Sequence, residues 1–142
     1  MRVEPYLYFN GRCEEAVEFY GRAIGAEVNA LTRFKDNPGS TAPAGAGDKV
    51  MHADLRIGET TILASDGQCS GTPDFRGFSL SLTVAKDAEA DRVFAALSDG
   101  GKVQLPLMST PFASRFGMVA DRFGVLWTIV AHAQTSSTKA SR

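Results

Sequence analysis

NGRCEEAVEFYGRAIGAEV, residues 10–28, decides how the rest of the chain is read. Within it Ala16, Val17, Tyr20, Ala23 and Ile24 recur at the three-to-four spacing of a helix with one buried face, while Glu14, Glu15, Glu18 and Arg22 fall largely elsewhere. Gly25 is a good stop, because glycine accepts the left-handed backbone found at helix ends. Upstream, PYLYF (5–9) has the aromatic character of a strand, and downstream AEVNALTRF (26–34) alternates as a second strand would. The unit is strand, helix, strand.

The same unit returns further along. FSLSLTV (78–84) is an alternating strand, and KDAEADRVFAALSDGG (86–101) forms a helix with Ala90, Val93, Phe94 and Leu97 on one side and Asp87 expected at its N-cap. Adding 75 to the residue number carries Leu7 to Leu82, Phe9 to Val84, Phe19 to Phe94, Gly25 to Gly100 and Val28 to Val103. Arg56-Ile57-Gly58 followed by TTIL matches Arg122-Phe123-Gly124 followed by LWTI at a shift of 66, so each half closes in a hairpin. The expected fold is α+β, two βαβββ modules at 1–66 and 78–132 joined by a Gly/Ser/Pro/Asp-rich linker at 67–77, with a frayed tail at 133–142. The loop KDNPGSTAPAGAGD (35–48) is too long and too rich in Gly and Pro for a plain turn, and reads as a mobile lid or as slack.

Composition removes several functions. With 15 basic and 16 acidic residues and no basic cluster, the footprint of a nucleic-acid binder is missing. No apolar run approaches the roughly 18 residues of a membrane span, and MRVEPYLYF lacks the zones of a signal peptide, so the chain is expected in the cytoplasm and off the membrane. Cys13 and Cys69 are too isolated for a disulfide framework, a redox pair or a zinc knuckle, and Cys13 reads as a packed helix residue. No GxSxG, GxGxxG or phosphate-loop pattern occurs.

Paired βαβββ modules with Phe19-Tyr20 late in the first helix, Gly25 after it and DRFGVLW (121–127) near the end resemble the vicinal oxygen chelate superfamily, which includes glyoxalase I, extradiol dioxygenases and bleomycin-resistance proteins. YLYFNGRCEEAVEFYGRAIGAEV (6–28), VMHADLRIG (50–58), ILASD (62–66) and FGMVADRFGVLWTI (116–129) are similar to its PhnB-like branch, also called the 3-demethylubiquinone 3-methyltransferase-like domain. The resemblance implies that each module curves four strands into a sheet and that the two sheets make a cup with helices outside. It also implies a homodimer, which fits the open edges such sheets expose; light scattering giving a monomer mass at micromolar concentration would count against it. Strand alternation then assigns faces: Phe78, Leu80, Leu82 and Val84 under the helix, Ser79, Ser81 and Thr83 toward the cup, with Glu4, Tyr6 and Tyr8 on the cup side of the first strand. A polar, aromatic-rimmed cup suits a small organic ligand.

Metal-dependent members of the superfamily hold one divalent ion with three or four His/Glu side chains from the first strand and last hairpin strand of each module. Here the matching places hold Ser79 and Thr128 in the second module, and in the first Ile62 together with Glu4 or Pro5, depending on the alignment. Hydroxyls and an isoleucine are poor ligands for such ions, so neither a metal nor any other cofactor is expected. The neighbours Leu80, Thr61, Leu63, Trp127 and Ile129 would not rescue the site. His52 lies in VMHADLRIG, outside the ligand strands, and reads as hydrogen-bonded or pocket-lining, with an acid/base or metal role as the sharper alternative; His132 lies close to the tail. Asp121 at its tight turn reads as structural, Trp127 as core, and Asp54, Arg56 and Asp66 as ordinary charged rungs. The expected function is binding of a small molecule through Glu4, Tyr6, Tyr8, His52, Ser79, Ser81, Thr83 and Thr128 without metal. Its rival is a lyase, isomerase or dioxygenase-type enzyme with an atypical site around Glu4 and His52.

Overall fold

A computed structural model describes residues 1–37, 39 and 44–132. The chain divides into two compact units, Met1–Pro73 and Asp74–Arg142. In the first, β1 (Tyr6–Tyr8), α1 (Cys13–Ile24), β2 (Glu27–Arg33), β3 (Val50–Ile57) and β4 (Thr60–Ser65) follow in order, with a short 3-10 turn at Phe34–Asp36. The second repeats the plan with β5 (Leu80–Val84), α2 (Asp87–Ser98), β6 (Lys102–Thr110), β7 (Ala113–Ala120) and β8 (Leu126–Ala131). Each unit holds a 4-stranded sheet, ordered β1-β4-β3-β2 in one and β5-β8-β7-β6 in the other. The first strand of each unit pairs parallel to the last and the remaining pairs are antiparallel, so both sheets are mixed and the fold is α+β.

The opening stretch folds as its pattern dictates. Cys13, Ala16, Val17, Phe19, Tyr20 and Ala23 are buried along one side of α1. Gly25 takes φ 73°, its N–H donates to Gly21 O and the Ala26 N–H donates to Tyr20 O, the paired bonds that close a helix on a left-handed residue. Beneath the helix Leu7, Phe9, Ala53, Leu55, Ile57, Ile62 and Ala64 are buried, leaving the alternate residues of the same strands on the open face. Cys13 is packed, and burial with the neighbouring Asp66 carboxylate pushes its thiol up to about 12, so at neutral pH it carries its proton and is no nucleophile.

Several expectations need correction. Phe78 is not under α2: β5 begins at Leu80, opposite Trp127, so Phe78 precedes the ladder and stays 47% exposed. Leu80 and Leu82 are half-buried, and only Val84 of that row is buried. Asp87 is the first residue inside α2 rather than its N-cap, a place held by Lys86 in extended conformation; the Asp87 carboxylate goes to the Ser114 hydroxyl and to Arg115 on β7. The hairpin repeat slips by one residue, because β3 turns into β4 directly from Ile57 to Thr60 whereas β7 reaches β8 only between Ala120 and Leu126. The ladder places Leu63 opposite Tyr6 and Thr128 opposite Ser81, so the residue matching Thr128 is Leu63, and Ile62 points into the core. Phe75, within the linker stretch, is buried. Of the loop at 35–48, residues 38 and 40–43 lie outside the described residues, as does the tail at 133–142.

Candidate functional site

Tyr6 and Tyr8 alternate with buried Leu7 on β1 and stand on the open face of the first sheet, 38% and 50% exposed. Their rings stack, with centroids 4.9 Å apart and planes 9° from parallel, an arrangement worth about 0.5–1.5 kcal/mol beyond area burial. The Tyr6 hydroxyl lies 2.8 Å from His52 Nδ1, and the two rings meet at 5.6 Å and 59°. His52 comes from β3, where it sits opposite Thr32 of β2. Burial, then Tyr8, then Cys13 hold the Tyr6 pKa above its ordinary value, so at neutral pH the phenol keeps its proton and can donate to an unprotonated Nδ1 or accept from a protonated one. One strand and its second neighbour thus assemble three ring side chains into a single polar-edged platform.

The remaining expected site residues have surroundings of their own. Glu4 is not a solitary carboxylate: it pairs with Arg2 at 2.9 Å beside a cleft of about 280 Å³ bordered by Glu59, Thr60 and Thr61. No hydrogen bond or ion pair joins it to His52 among the described residues. On the second sheet Ser79 Oγ and Thr128 Oγ1 share a hydrogen bond at 3.0 Å, and Ser81 and Thr83 are exposed on β5. Among the described residues no three His, Cys, Asp or Glu side chains cluster as a metal would require.

Two buried carboxylates do structural work instead. Asp66 is 1% exposed, which corrects its reading as a charged rung. Its Oδ1 accepts from the Gly11 N–H at 2.7 Å and the Cys13 N–H at 2.8 Å, and its Oδ2 from the Val50 N–H at 2.8 Å. One side chain thereby satisfies the start of α1, the loop before it and the first residue of β3. A carboxylate directly after an apolar strand run and directly before a glycine was the available signal. Beside it a cleft of about 360 Å³ is bordered by Glu14, Arg33, Lys35, Asp48 and Lys49. Its charges are already matched, Arg33 to Glu14, Lys35 to Asp48 and Lys49 to the Gly11 carbonyl. The second carboxylate is Asp121, whose Oδ1 accepts from the Phe123 and Val125 N–H groups and whose Oδ2 accepts from Trp127 Nε1 at 2.9 Å, as a structural reading of that turn and a core reading of Trp127 require.

Comparison with known proteins fits this geometry. The profile of the 3-demethylubiquinone-9 3-methyltransferase family matches residues 1–130. The chain belongs to that PhnB-like family. A solved protein of Pseudomonas aeruginosa, PA1353, is 41% identical and superposes with a TM-score of 0.81, covering 93% of this chain and 98% of its own. The PhnB protein of Bacillus cereus is 26% identical at a TM-score of 0.78, covering 92% and 99%. A glyoxylase/bleomycin resistance protein/dioxygenase domain from Frankia sp. EAN1pec, at 16% identity and a TM-score of 0.62 over 93% and 95%, shares the fold. The PhnB-like chain therefore has the glyoxalase/bleomycin resistance fold of the vicinal oxygen chelate superfamily. No helix among its described residues is long and apolar enough to cross a membrane.

Proposed function

We propose that this PhnB-like protein binds a small organic molecule on the open face of its first sheet, through Tyr6, Tyr8 and His52, without a divalent ion. The supporting observation is the stacked, half-exposed tyrosine pair tied to His52. Exposed aromatics with a fixed orientation cost little further entropy when a flat ligand settles on them, and the free edges supply hydrogen bonds. The second sheet carries hydroxyls of its own at Ser79, Ser81, Thr83 and Thr128. The donor set argues against metal use: at the family positions stand a serine, a threonine, a leucine and a glutamate already paired with arginine. The rival acid/base reading has less to rest on, since Glu4 is ion-paired with Arg2 and His52 is bonded to Tyr6, so each would have to give up or share its partner to transfer a proton.

Calorimetric titration of the purified protein with a panel of one- and two-ring aromatic and conjugated carbonyl compounds tests the reading. A binder is expected to lose about tenfold in affinity, about 1.4 kcal/mol, in Tyr8→Ala and in His52→Ala. Affinity unchanged in both variants would move the site elsewhere. Elemental analysis after dialysis against a weak chelator is expected to find far less than one divalent ion per chain. One tightly held ion, lost in Glu4→Ala or His52→Ala, would replace this reading with the enzyme.

A further inference from the structure

We infer that Gly67 is a positioning residue for this platform: the empty space at its missing Cβ is where the Tyr8 ring lies. The inference rests on the open face being the binding surface, but its geometry stands on its own. A Cβ at Gly67 would come 3.1 Å from Tyr8 Cδ1 and 3.8 Å from Tyr8 Cβ, with Asn10 Oδ1 at 3.6 Å. The first distance is too short for a relaxed carbon–carbon contact, so one partner must move.

Neither partner moves without consequence. The Gly67 N–H donates to the buried Ser65 hydroxyl at 2.9 Å, and the residue is held at φ +54°, which anchors the backbone. The Tyr8 ring lies 9° from parallel with Tyr6, and Tyr6 is itself fastened to His52. Relieving a contact at Cδ1 takes a shift of a few tenths of an ångström, and turning χ1 or χ2 of Tyr8 to make it changes how that ring meets Tyr6. Position 67 therefore favours glycine on two counts, a left-handed backbone and a Cβ site pressed against the Tyr8 ring. Asparagine accepts the left-handed backbone more readily than other residues and still carries a Cβ, so it isolates the Cβ contact.

The test compares Gly67→Asn and Gly67→Ala, each with and without Tyr8→Ala, by NMR of the tyrosine ring protons and by thermal unfolding. Folded Gly67→Asn is expected to change the intensities of the ring-to-ring NOEs between Tyr6 and Tyr8 and to shift both sets of ring resonances. In the Tyr8→Ala background the same substitution is expected to lower the melting temperature by less than half as much as with Tyr8 present. Ring NOEs and shifts that stay unchanged in folded Gly67→Asn would overturn the inference. If Gly67→Asn does not fold, the double variant decides: a folded double variant supports the clash with Tyr8, and an unfolded one assigns the glycine to the backbone alone. None of these readouts needs a ligand, so failure of the binding reading and failure of this one are told apart.

Discussion

Asp66→Ala is expected to destabilise the protein by about 3–5 kcal/mol in urea unfolding, with loss of the native signal at or near physiological temperature. Three backbone donors converge on this carboxylate, from Gly11, Cys13 and Val50. Alanine leaves all three without an acceptor, and each unsatisfied buried donor costs about 1–3 kcal/mol. The Gly11 amide is only partly buried, so water offsets part of its loss. The start of α1 also loses the negative charge that complements its dipole. Asp66→Asn separates these contributions, since its amide oxygen can still serve one side while its NH2 faces an N–H on the other. That variant is expected to lose about 2–4 kcal/mol. A loss under about 1 kcal/mol for alanine would mean that water replaces the carboxylate. Because Gly11 and Asn10 lead from β1 into α1, the damage is expected to reach the Tyr6–Tyr8 stack as well, seen as shifted tyrosine ring resonances in any folded Asp66→Asn.

Asp66 also marks where the sequence stops being legible. The buried face of α1 at Ala16, Val17, Tyr20 and Ala23 was readable because helical periodicity is a property of neighbouring residues. Gly25 and Gly100, both left-handed after their helices, were readable for the same reason. The partners of Asp66 were not, since which amides surround a carboxylate depends on which strands become neighbours. The slip between Ile62 and Leu63 has the same origin: both turn glycines were matched correctly, but a two-residue turn in one hairpin and a longer one in the other shift the strand behind them. The three places where the register of β6 against β7 shifts were likewise beyond local pattern, because a shift is set by both strands together. At the candidate site the outward facing of Tyr6 and Tyr8 followed from alternation, while the bond from Tyr6 to His52, 46 residues away, needed the sheet order.

Trp127→Ala is expected to cost about 3–5 kcal/mol, the range for deleting a large buried aromatic side chain. Trp127 is 2% exposed on β8, opposite Leu80 of β5 and Val119 of β7, so the cavity opens in the centre of the second sheet's buried side. A second effect lies beneath that loss. Asp121 is 4% exposed, and the indole N–H is the donor that reaches its Oδ2. Trp127→Phe keeps most of the volume yet withdraws this donor from a buried carboxylate, so it is expected to cost about 2–4 kcal/mol, more than its small change in volume alone. Asp121→Asn removes the charge and puts an amide where the indole N–H points, and is expected to cost a similar amount. In the double variant Trp127→Phe/Asp121→Asn the charge that lost its indole donor is gone, and the two losses are expected to fall short of their sum by about 1–2 kcal/mol. Urea unfolding of the four proteins in this cycle measures that coupling. Simple additivity would reduce Trp127 to core volume and leave the Asp121 turn to the bonds its carboxylate accepts from Phe123 and Val125 and to its backbone bonds with Gly124 and Val125.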